Sequence, residues 1–129
     1  MRMVLIAIAS FLISISGTRG VAHAAPVVRF DPGTQTKREL TVPLVMHGYK
    51  EFKNVCKKCH TRDSGKGSFL YAEKKSMRAW NRVFYARYPK CARDGSWDTV
   101  APETLLAIND YLYQNGYDAY DPYDAANCG

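Results

Sequence analysis

From residue 101 to the C-terminus the chain contains no lysine, arginine or histidine. Five carboxylates stand there alone, whereas residues 25–100 carry sixteen basic side chains against seven acidic ones. Such asymmetry suits electrostatic steering toward a charged partner, or simply a lysine-rich solvated surface. Other absences narrow the function classes. No second C-x-x-C and no H-x-x-x-H accompanies Cys56 and Cys59, so the other half of a zinc site is missing. No catalytic triad, paired-acid motif or substrate-site signature is present, so catalysis by this chain alone is not expected. No nucleic-acid motif occurs either. No apolar run reaches the roughly 20 residues of a membrane span. Methionine is scarce: beyond the first three residues only Met46 and Met77 remain.

What is present begins with an export signal. Arg2 precedes an apolar run of about a dozen residues, and Ala22-His23-Ala24 forms an A-x-A-like cleavage site. Residues 1–24 are therefore expected to be a cleaved signal peptide, with an uncleaved N-terminal membrane anchor as the alternative. No lipoprotein-type cysteine stands at the junction. Removing Arg2 and Arg19 leaves 105 residues with formal charge +4, enough for one domain with a modest core. Residues 25–47 read as an irregular arm. Asp31-Pro32-Gly33 signals a turn, Pro26 and Pro43 discourage regular structure, and Leu40–Val45 reads as a short extended piece.

Cys56-Lys57-Lys58-Cys59-His60 is a C-x-x-C-H run, the mark of covalent c-type haem attachment. On one short turn, two thiols each reach a vinyl group of the same porphyrin. The next residue carries an imidazole toward the iron, which is commonly held by a proximal histidine. A thioredoxin-like pair needs a βαβ setting, and a Cys56–Cys59 disulfide is awkward on a helix. Gly48, Phe52 and Cys56 follow at i, i+4 and i+8, on one helical face. Downstream, Gly65 and Gly67 mark a flexible loop. Ser76 reads as the N-cap of a helix to about Tyr88, ended by Pro89, with Trp80, Val83 and Phe84 as core. Pro89–Ala101 reads as a loop. Pro102 and Glu103 open a last helix that ends near Asn115-Gly116.

The string G-x-x-x-F-x-x-x-C-x-x-C-H resembles the N-terminal helix of class I c-type cytochromes. Ile108, Tyr111 and Leu112 resemble the hydrophobic and aromatic positions of that family's C-terminal helix. The resemblance spans about Gly48–Gly116, well marked at both ends and poorly in the middle. It implies a mostly α, small cytochrome c-like domain over residues 48–116, its N- and C-terminal helices crossing around one covalent haem c. Gly48 would admit the last helix at close range and Phe52 would pack at the crossing. Cys56 and Cys59 would bind the porphyrin covalently, and His60 would be the proximal iron ligand. The implied function is single-electron transfer between larger redox proteins in the bacterial periplasm, one of them docking electrostatically.

The chain departs from that family where the sixth iron ligand usually lies. Pro89–Ala101 holds neither methionine nor histidine. Met77 is the first candidate for the distal position, with Lys90, Cys91 and a vacant site as alternatives. His47 and Met46 sit too far back on the Gly48 helix to reach the opposite haem face. An open or labile sixth position would make the protein a binder or sensor of small gases. A haem subunit of a larger respiratory assembly is a third reading. Cys91 and Cys128 are left over, and in an oxidising compartment an even remainder favours a disulfide. Closing that span contributes roughly 4 kcal/mol by chain entropy. Residues 117–129 repeat a Tyr-Asp pair every three residues, and read as a strap over the domain or an acidic, aromatic docking edge.

Overall fold

In the computed structural model, residues 26–119 are described. The expected leader and residues 120–129, Cys128 included, lie outside them, so the Cys91–Cys128 pairing does too. Among the described residues no helix is long and apolar enough to cross a membrane.

The architecture is mixed: three helices of ten or more residues, one single-turn helix, and a two-stranded antiparallel sheet. The sheet corrects the irregular arm and with it the mostly helical expectation. Strand β1 (Val27–Asp31) pairs with β2 (Thr36–Leu40) in the register Val27 with Leu40 and Asp31 with Thr36. The turn is built by Asp31, whose Oδ2 accepts hydrogen bonds from the Thr34 amide at 3.1 Å and the Thr34 hydroxyl at 2.7 Å. Gln35 takes the left-handed conformation there, φ 58°.

Helix α1 (Val42–Val55) starts six residues before Gly48. Pro43 does not discourage it, because a proline in the first turn has no amide that the helix needs. Leu40 therefore ends the extended segment, and Val42–Val45 are helical. Helix α2 (Met77–Ala86) is capped as expected: the Ser76 hydroxyl accepts the Ala79 amide at 3.1 Å. It ends at left-handed Arg87, two residues before Pro89. The segment read as a loop contains the single turn α3 (Lys90–Arg93). Helix α4 (Pro102–Gln114) matches its expected bounds closely.

The centre of the fold is the crossing of α1 and α4. A Cβ placed on Gly48 would fall 2.1 Å from the Ala107 carbonyl oxygen, so only a residue without a side chain permits this approach. Phe52 is buried one turn on, its ring 5.4 Å from that of Tyr111. Ile108 and Leu112 from α4, Trp80 and Val83 from α2, and Ala72 complete the core. The Trp80 indole donates to the Ala72 carbonyl at 2.6 Å, satisfying its polar atom inside. Phe84 is half-buried and stacks on Trp97, ring centres 5.1 Å apart.

The hairpin is locked to α4 by buried charge. The side chains of Arg29 and Asp110 are both 0% exposed. Arg29 donates from Nε and Nη2 to Asp110 Oδ1 at 2.8 and 2.6 Å, and from Nη1 to Asp31 and Asn81. Arg38 closes on the other Asp110 oxygen at 2.7 Å. One carboxylate of the acidic C-terminal segment thus offsets two cations of the basic part, Arg29 buried and Arg38 partly exposed. That portion of the charge asymmetry is structural and offers nothing to a partner.

Candidate functional site

The motif occupies the exit of α1. Cys56–Lys58 form a 3₁₀ turn directly after Val55, and the His60 amide donates to the Cys56 carbonyl at 3.0 Å. This tightening brings Cys56, Cys59 and His60 into one turn, as their spacing implied. Cys56 is half-buried and packs against the core, whereas Cys59 is exposed. Burial pushes the Cys56 thiol up to about 12; the nearby Cys91 adds to this and Lys57 opposes it. Among the described residues Cys56, Cys59 and Cys91 form no disulfide with one another.

The orientation of His60 is set by the loop behind it. Its Nδ1 lies 2.7 Å from the Ser68 carbonyl oxygen. A carbonyl only accepts, so Nδ1 carries a proton, and Nε2 is the nitrogen left to face a metal. A metal-ligating histidine commonly uses its second nitrogen in this way. Gly67 makes room: a Cβ there would sit 2.8 Å from the ring's Cε1 and Nδ1. The Leu70 amide donates to the His60 carbonyl at 3.2 Å, and Lys57 Nζ makes a short hydrogen bond to the Leu70 carbonyl. Ser64 Oγ bonds the Cys59 carbonyl. The loop read as flexible is thus fastened to the motif at four points. Ser68 contributes only its backbone, which no side-chain pattern announces; Gly67 was visible merely as a loop glycine.

The distal candidates are placed differently. Met77 heads α2, half-buried, and its amide donates to Asp118 Oδ1 at 2.6 Å. A Cβ on Gly116 would meet the Met77 backbone nitrogen at 2.6 Å, so the end of α4 is pressed against this point. Met77 is not among the residues packed on the core that Cys56 joins. Lys90 is exposed at the head of α3. Cys91, half-buried, stands close enough to Cys56 to oppose its ionisation. His47 and Met46 fall in the middle of α1, ahead of Gly48.

Among the described residues no group of three or more His, Cys, Asp and Glu side chains could hold a metal ion between them. A porphyrin iron needs only one or two protein ligands, and the donor set here fits that need: two thiols and an imidazole oriented through Nδ1. In comparisons with known proteins, no family model, no curated protein and no solved structure matches the chain.

Proposed function

We propose that the chain is an exported, small cytochrome c-like protein that carries single electrons on one covalently attached haem c. The observation that carries this reading is the Nδ1 bond of His60 to the Ser68 carbonyl, in the residue that follows Cys56 and Cys59. It holds Nε2 ready for iron before any metal arrives. Each thiol would add across one vinyl group, sulfur to one carbon and the thiol hydrogen to the other. A haem so bound supplies an Fe(III)/Fe(II) couple. The chain's own part is to fix the imidazole, cover one haem face with core residues and leave the Cys59 side open to a partner. Redox proteins act as donor and acceptor, one of them recognising the lysines around the motif.

The test is the product of expression with the haem-attachment machinery of an exporting bacterium. Wild-type protein is expected to keep its haem through acid-acetone extraction. Cys56→Ala and Cys59→Ala should reduce retention, and His60→Ala should abolish normal ligation. A Cys56→Ala/Cys59→Ala variant that still retained haem after extraction would overturn the assignment.

The second reading, a haem-based binder of small gases, is favoured by Pro89–Ala101, which holds neither methionine nor histidine. Spectra of the reduced protein with carbon monoxide separate the two. Immediate binding means an open iron; a low-spin spectrum that ignores carbon monoxide means a filled sixth position, with Met77 the first residue to substitute. Purification as a stable monomer would count against a role as a subunit of a larger respiratory assembly.

A further inference from the structure

A concavity lies beside the motif; Lys57 lines it, and Cys56, Cys59 and His60 do not. It encloses about 450 Å³, within the range of small-molecule sites. Phe52 contributes to its lining, with Tyr49 and Tyr111 from the α1–α4 crossing and Phe69 and Tyr71 from the loop. The rings are already arranged in pairs. Tyr49 and Tyr111 lie 5.3 Å apart and tilted, while Phe69 and Tyr71 are stacked at 5.5 Å. Lys57 brings its ammonium among them, 4.1 Å from the centre of Phe69 and 5.6 Å from that of Phe52. Its one protein hydrogen bond, to the Leu70 carbonyl, leaves two N–H donors. Lys53, 5.3 Å from the centre of Tyr49, adds a second positive charge. Glu73 is the single carboxylate in the lining. Burial, with Glu73 and Tyr49 nearby, raises the Tyr111 hydroxyl, which therefore stays protonated as a donor at neutral pH.

We infer that this cleft binds a planar aromatic anion of about two fused rings. Flat aromatic lining favours a flat π-system over an aliphatic one of equal area. Two ammonium groups against one carboxylate select a negative charge, and Lys57 is held where that charge would meet it. A concave site of this volume suits a small molecule better than the broad, flat contact of a protein partner. The site uses neither of the cysteines nor the histidine, although it shares Phe52 and Lys57 with the haem reading.

The experiment is isothermal titration of the purified full-length protein with naphthalene-2-sulfonate. One-to-one binding with a dissociation constant between about 10 μM and 1 mM is expected for a ligand of this size. Phe69→Ala and Lys57→Met should each weaken it about tenfold or more, while Lys37→Ala on the hairpin leaves it unchanged. Cyclohexanesulfonate, with the same charge and no aromatic π-system, should bind at least tenfold more weakly. Absence of binding to 5 mM, equal binding by both anions, or binding indifferent to Phe69→Ala and Lys57→Met would each overturn the cleft as an aromatic-anion site. Unchanged far-ultraviolet circular dichroism of the two variants shows that the loss is local; if Phe69→Ala unfolds, Phe69→Leu keeps the bulk and removes the ring.

Discussion

The hairpin seat and the motif turn are held by opposite means. Around Arg29 and Asp110, charges are fully buried and each has several partners, so removing one leaves another stranded away from water. From Lys53 to Tyr71, by contrast, no residue is fully buried. That segment is held by backbone hydrogen bonds, one close-packed glycine and lysines lying on aromatic rings. The first region is closed and self-sufficient. The second is ordered at its carbonyls and carries little buried apolar surface.

Four substitutions or measurements break or sharpen that contrast, the largest first. Arg29→Ala should cost about 3–5 kcal/mol of folding stability in urea, because Asp110 stays buried with Arg38 as its main remaining cation. The double variant Arg29→Met/Asp110→Leu should recover part of that loss; no recovery would mean the hairpin seat depends on shape and not on charge. Gly48→Ala drives a methyl into the Ala107 carbonyl and should cost about 1–3 kcal/mol or more, read by thermal melting. Gly67→Ala should cost less, about 1 kcal/mol. If the proposed haem is bound, the signature is elsewhere: the yield of normally ligated haem should fall while the core melts almost as before, since the methyl meets the His60 ring and the Cys59 carbonyl and no core residue. An equal loss in melting and ligation would contradict the separation of the two regions.

The smallest effect is one of pH. Burial raises the Asp31 carboxyl, but hydrogen bonds from Thr34 and Arg29 and the Arg29 charge outweigh it, leaving the group below its ordinary value of 3.8. A depressed carboxylate stabilises the fold fully above that ordinary value. Its contribution is lost as pH falls from there through the lower folded value. Stability of the wild type should therefore drop more steeply below about pH 4 than that of Asp31→Asn; parallel curves would show that Asp31 carries no such linkage.

Much of this was legible in order of locality. Ser76, Pro89 and Pro102 mark helix ends by their own chemistry, and α2 and α4 follow them. The Gly48, Phe52 and Cys56 spacing places one face of α1 correctly, because i, i+4 neighbours stay together whatever the helix packs on. The hairpin was hidden since its inward residues, Arg29 and Asp31, are charged and reverse the usual alternation of apolar inside and polar outside. Asp110, the partner of Arg29, stands 81 residues away from it, beyond the reach of any local pattern. Pro43 misled for a related reason, as the same residue stops a helix in its interior and starts one in its first turn. Within the site, the thiols and the imidazole were plain, but the Ser68 carbonyl that orients the ring is backbone and has no letter in the sequence.

The close crossing at Gly48 also has a temporal side. Val55 and Pro102 lie far apart along the chain, so joining α1 to α4 closes a long loop, and contacts of that kind form late. A chain made from its N-terminus presents Cys56, Cys59 and His60 before residues 102–114 exist to complete the core behind them. Cys56 therefore has an interval of fuller access during biogenesis, which packing of the last helix against the core narrows. Chemistry at Cys56 that misses this interval must work against the packed core, whereas Cys59 stays reachable.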